Sequence, residues 1–78
     1  MIKVDIRTII KIDDLIKRGA TGSPSSLAGR LNLSERAAYK YLKFMKEELN
    51  APIEFSKFHG SYRYVSHGEF NFKWKSYK

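Results

Sequence analysis

The chain has no cysteine and only two histidines, His59 and His67. A disulfide framework and a thiolate zinc site are thereby excluded, and two imidazoles without carboxylates at ligand spacing do not complete a ligand set, so no metal and no cofactor is expected. Long apolar runs are missing too: none exceeds three residues, where a membrane-spanning helix needs about 20. The start, Met1-Ile2-Lys3-Val4-Asp5, carries charge where a signal peptide would need an apolar stretch. The expectation is a cytoplasmic protein with no membrane contact. Carboxylates are the minority charge, 8 Asp+Glu against 15 Lys+Arg, for a formal net charge of +7 and a pI near 9.8. Asp13-Asp14 and Glu47-Glu48 are sequence neighbours, about 100° apart on a helix, and cannot flank one substrate bond. A Gly-rich loop ending in Gly-Lys-Ser/Thr and a serine nucleophile elbow are also lacking, so no catalytic residue is expected.

What is present points to a folded basic surface. At 42% apolar and 14% aromatic residues the chain is too hydrophobic for a basic disordered tail, and its 78 residues suffice for one small core, a single domain over 1–78. Ile6, Ile9, Ile12 and Ile16, flanked by Ile10 and Leu15, predict a helix over 5–18 with Asp5 as N-cap and Gly19 as left-handed C-cap. Ser23-Pro24 opens a second helix, 24–31, with Leu27, Ala28 and Leu31 inward. Asn32-Leu33 leaves room only for a tight turn before Ser34 caps a third helix over 34–49. Ala38, Leu42, Met45 and Leu49 form its apolar back, whereas Arg36, Tyr39, Lys40, Lys43 and Lys46 project from its front.

After Pro52 the period drops from about 3.6 to 2, which predicts a hairpin over 53–66. Strands Ile53–Phe58 and Ser61–Ser66 joined by His59-Gly60 would set Phe55 opposite Tyr64 and Lys57 opposite Tyr62. Ile53, Phe55, Tyr62 and Tyr64 then share one face, with Glu54 and Arg63 on the other. Phe70, Phe72 and Trp74 alternate with Asn71, Lys73 and Lys75 over 69–78, a third strand or an arm. The fold class is α+β: three helices, a β-hairpin wing and this C-terminal segment.

Two helices joined by a tight turn, the second basic on its exposed side, suit duplex DNA. A helix fits the major groove, where Arg and Lys reach guanine acceptors or phosphates, and capped amides at a helix start bind a phosphate oxygen. Leu27-Ala28-x-x-Leu31-x-Leu33-Ser34, followed by Pro52-Ile53-Glu54 and Gly60-Ser61-Tyr62-Arg63-Tyr64, resembles winged helix-turn-helix domains of bacterial transcription regulators, especially those at the front of DeoR-type and WYL-domain repressors. The resemblance covers roughly residues 9–65 and implies a small nucleoid-associated transcription regulator, or an architectural factor for a mobile element, that binds double-stranded DNA. It implies DNA contact by Ser34, Arg36, Ala37, Tyr39 and Lys40 on the recognition helix, with Lys43 further along the same front, and by Lys57, His59 and Arg63 on the wing. The chain departs from the family pattern at Ala37, Tyr39 and Tyr41, so no target sequence follows. The regulators it resembles carry a second domain for effectors or oligomerisation that 78 residues do not accommodate, and no small-molecule effector is expected. A homodimer, through the hairpin edge or the Phe70 to Trp74 segment, would offset the weak grip of one module.

Several features have a second interpretation. The charges of the third helix also suit a solvated face, and Tyr39 could pack on the wing or on Tyr41 instead of DNA. The C-terminal aromatics fit core cover, a dimer seam, a partner site or a stacking platform, so a protein-interaction module stands as the alternative function. Gly19-Ala20-Thr21-Gly22 matches the GXXG loop of KH RNA-binding domains as well as a helix-ending turn. His59 on a phosphate would make binding tighter at pH 6 than at pH 8, a dependence that His59→Ala would remove.

Overall fold

A computed structural model describes residues 4–66, 68–70 and 74–76. Each helix begins at a residue whose side chain accepts a free backbone amide. The Asp5 carboxylate accepts the Arg7 amide at 2.9 Å and opens α1 (Ile6–Lys17). At the other end the Ala20 amide donates to the Leu15 carbonyl and the Gly19 amide to that of Ile16, the paired bonds of a Schellman cap. Ile9, Ile12, Leu15 and Ile16 are buried, but Ile6 and Ile10 are exposed, contrary to the inward placing of Ile6. At about 100° per residue, the buried arc leaves Ile6 and Ile10 more than about 100° from its centre.

Ser23 accepts the Ser26 amide at 3.2 Å and opens α2 (Pro24–Leu31). The glycine ahead of it is required: Gly22 has φ +68°, and a Cβ there would lie 2.9 Å from that of Ser26. Asn32 takes φ 57°, and the Leu33 amide returns to the Ala28 carbonyl at 2.9 Å, so two residues suffice to turn the chain. Ser34 then accepts the Ala37 amide at 3.1 Å and opens α3 (Glu35–Glu47). This helix ends two residues before the expected Leu49, because Asn50 takes φ 58° and the Ala51 amide donates back to the Met45 carbonyl. Its buried face is Ala38, Tyr41, Leu42 and Met45; Leu49 is half-buried, and the Tyr41 hydroxyl accepts the Asp5 amide at 2.9 Å. Among the described residues Ile12, Leu27, Met45 and Ile53, one from each helix and one from the first strand, are the largest fully buried apolar side chains and mark the centre of the core.

β1 (Ile53–Ser56) and β2 (Ser61–Tyr64) form an antiparallel hairpin, completing the layout of a helix-turn-helix followed by a wing. The strands are shorter than expected and the register differs by two: Phe55 lies opposite Tyr62 and Ile53 opposite Tyr64, with Lys57 in the loop. The cause is a four-residue loop, 57–60. The Gly60 amide donates to the Ser56 carbonyl at 2.8 Å, the His59 amide donates to Ser56 Oγ at 3.2 Å, and Gly60 takes φ +63°. A shift of two leaves every side chain on its expected face.

The wing is bolted to the helices by a buried polar pair. Thr21 and Ser61 share a hydroxyl–hydroxyl hydrogen bond at 2.8 Å; the Tyr62 amide donates to Thr21 Oγ1, and the Thr21 amide to Ser61 Oγ. Beyond the wing, β3 (Gly68–Phe70) pairs antiparallel with β4 (Trp74–Ser76) as a second two-stranded sheet. The expected single strand or arm is therefore two strands, with Phe70 opposite Trp74, because alternation of residue types continues unchanged across a chain reversal. His67 and Phe72 lie outside the described residues. Among the described residues no helix is long and apolar enough to cross a membrane.

Candidate nucleic-acid interface

Arg36, Lys40 and Lys43 follow one another at i, i+4 and i+7 along the exposed front of α3, which starts from the Ser34 cap. The helix as a whole, with its C-cap, holds Arg36, Lys40, Lys43 and Lys46 against Glu35, Glu47 and Glu48, a surplus of one. Spacing, not the sum, makes the stripe, since the carboxylates sit at the two ends. Every ion pair among the described residues involves α1 or its caps: Arg7 with Asp5 at 3.1 Å, Lys17 with Asp13 at 3.1 Å, and Arg18 with Asp14. The carboxylates of α1 are thus met by its own cations, whereas the cations of α3 and the wing meet no carboxylate within 4 Å among the described residues. Ser34, Arg36, Lys40 and Lys43 are exposed, but Ala37 is half-buried and offers only part of its surface.

The wing lies alongside this stripe. Between them runs a groove of about 330 Å³, with Tyr39, Lys43, Lys46 and Glu47 on one wall and Glu54, Phe55 and Tyr62 on the other. Phe55 meets the Tyr62 ring edge-on at 5.0 Å. Burial, and then the adjoining Tyr39, push the Tyr62 phenol up. Tyr39 therefore packs toward the wing while half its surface stays open, and Tyr41 points the other way into the core.

At the wing tip, Lys57, His59 and Arg63 are exposed, and the latter two touch. Arg63 Nη1 is 3.2 Å from His59 Nδ1 and 3.4 Å from Nε2, and Nδ1 also forms a hydrogen bond with Ser56 Oγ at 2.8 Å. The imidazole is thus fixed between the strand end and a guanidinium. Beside it stands Phe58, 92% exposed, its ring edge-to-face on His59 at 4.9 Å. Sequence patterning assigned Phe58 to a strand and missed it as a surface feature. The sign available was its neighbourhood, an aromatic residue directly before His59-Gly60, where turns favour Gly, Asn, Asp and Ser.

Gly19 and Gly22 both have positive φ, at the end of α1 and the start of α2, so helix termination accounts for the Gly19-Ala20-Thr21-Gly22 motif. The chain matches no protein-family model, no curated protein and no solved structure.

Proposed function

We propose that this protein is a winged helix-turn-helix module that binds double-stranded DNA, with α3 in the major groove and the β1–β2 hairpin on the flanking backbone or minor groove. In this reading it serves as a small transcription regulator or an architectural factor. The observation that carries the proposal is the Arg36-Lys40-Lys43 stripe, without carboxylate partners among the described residues and flanked by a hairpin bearing Lys57, His59 and Arg63. Phosphate contacts by such cations release counterions, so affinity falls with salt, and about five neutralised phosphates give a slope near −4.5 in log affinity against log salt.

Fluorescence anisotropy of a mixed-sequence duplex at several salt concentrations tests this. The expected result is salt-dependent binding that is weaker, with a shallower slope, in Arg36→Ala/Lys40→Ala. Absence of binding at low salt overturns the proposal, and duplex RNA competing as well as DNA moves it to RNA. A lone module buries only about 600–1,000 Å² against DNA, so light scattering of the free and bound protein decides whether a second copy joins.

A further inference from the structure

We propose that Phe58 is an apolar wedge which enters the base stack of a bound duplex from the tip of the β1–β2 hairpin. This rests on the DNA-binding reading and adds a contact that the basic stripe does not provide. Among the residues whose burial is described, the other exposed large apolar ones, Ile6, Ile10, Tyr39, Phe55 and Val65, keep 39–62% of their surface in water, so each covers part of its own fold; Phe58 keeps 92%. It takes no part in closing the loop, whose geometry comes from Ser56, His59 and Gly60. Its ring is nevertheless positioned, because the imidazole it rests on is held by Ser56 and Arg63. An apolar ring in edge contact with His59, which Arg63 touches in turn, and next in sequence to the exposed Lys57, complements a surface that is anionic outside and apolar within.

A duplex has that character: phosphates line the groove and the stacked bases lie between them. Side chains such as Phe wedge between base steps from the minor groove and kink the duplex, most easily at TA and CA/TG steps. An anionic bilayer has the same order of layers, but interfacial insertion scales with buried apolar area. The loop Lys57-Phe58-His59-Gly60 offers a single apolar side chain, whereas Arg36, Lys40 and Lys43 add exposed cations along a helix of a size that fits the major groove.

The test uses Phe58→Trp and Phe58→Ala in the full chain; with Phe58 almost wholly exposed, neither substitution disturbs the core. Trp74 is the chain's own tryptophan, and its signal in the unsubstituted protein is subtracted. On addition of duplex DNA, emission from the indole introduced by Phe58→Trp is expected to be quenched and shielded from acrylamide, while heparin, a polyanion without bases, produces neither change. Phe58→Ala is expected to weaken duplex binding between about fivefold and a hundredfold, the range for one aromatic–base stack, with no change in salt slope, since no counterion is released at an apolar contact. Unaltered affinity of Phe58→Ala, or an introduced indole equally open to acrylamide with and without duplex, overturns the wedge while DNA binding stands. Shielding of that indole by phosphatidylserine vesicles and not by duplex reassigns the tip to membranes. No duplex binding by the unsubstituted protein ends both proposals.

Discussion

Two positions show how single residues set the stability of so small a fold. Gly29 lies within α2, is exposed, and has nothing within 4 Å of where a Cβ would be. It holds no special backbone angle, so it adds only chain entropy to the unfolded state, and Gly29→Ala is expected to stabilise the protein by about 0.5–1 kcal/mol. Thermal unfolding reads this as a midpoint raised by a few degrees, and an unchanged or lower midpoint would show that the surface there does not tolerate a methyl group. The Tyr64 hydroxyl, half-buried, donates to Asp13 at 2.6 Å, and Asp13 also pairs with Lys17. Burial first, then the Asp13 hydrogen bond, push the Tyr64 phenol far above its ordinary range. The folded state therefore favours the neutral phenol. Its contribution is complete below the ordinary tyrosine value of about 10 and declines as pH rises beyond it. Tyr64→Phe should cost about 1.5–3 kcal/mol at neutral pH, and the gap to the parent protein should narrow above about pH 10. Urea unfolding of both at neutral and alkaline pH measures this; a constant gap would mean that the phenol ionises as readily folded as unfolded.

At the scale of elements, the helices were legible because their starts are written locally: Asp5, Ser23 and Ser34 each accept an amide two or three residues ahead. The candidate site on α3 was legible for the same reason, since period and cap together decide which side of a helix faces out. The hairpin was legible in its faces but not its register. Moving the turn by two residues preserves alternation, and a hydroxyl at Ser56 that prefers to close a longer loop leaves no trace in hydropathy. That error hid Phe58, which belongs to the tip and not to a strand. The bolt between helices and wing was not legible at all, because Thr21 and Ser61 are separated by 40 residues and look like ordinary turn residues. Its importance can be measured. Thr21→Val keeps the shape but removes the acceptor of the Tyr62 amide and the partner of Ser61, both buried, at an expected cost of about 1–3 kcal/mol. If this pair holds the wing, hydrogen exchange at the Tyr62 amide should accelerate more than in α3. Equal acceleration in both would mean that the wing and the helices open only together.

For the molecule as a whole, the net charge of +7 must be accommodated on a body of 34 × 33 × 17 Å. The screening length is about 30 Å at 0.01 M salt and about 10 Å at 0.1 M, so in dilute buffer the cations repel across the full width of the fold, and at higher salt only near neighbours interact. The ion pairs among the described residues oppose this weakly: all three belong to α1 and its caps, are local in sequence and are exposed on at least one side, where such pairs contribute about 0–1 kcal/mol each. Self-repulsion therefore outweighs pairing, and adding sodium chloride over this range should raise the unfolding midpoint of the free protein. Under the proposed DNA-binding function the same titration should weaken duplex binding, because the cations that repel one another are the ones that would release counterions on meeting phosphates. Opposite signs from one variable separate a functional charge surplus from an ordinary solvated surface. A midpoint that falls with salt would place the balance with the α1 pairs, and Arg36→Ala/Lys40→Ala, which breaks none of them, would then leave stability unchanged where the repulsion argument requires it to gain.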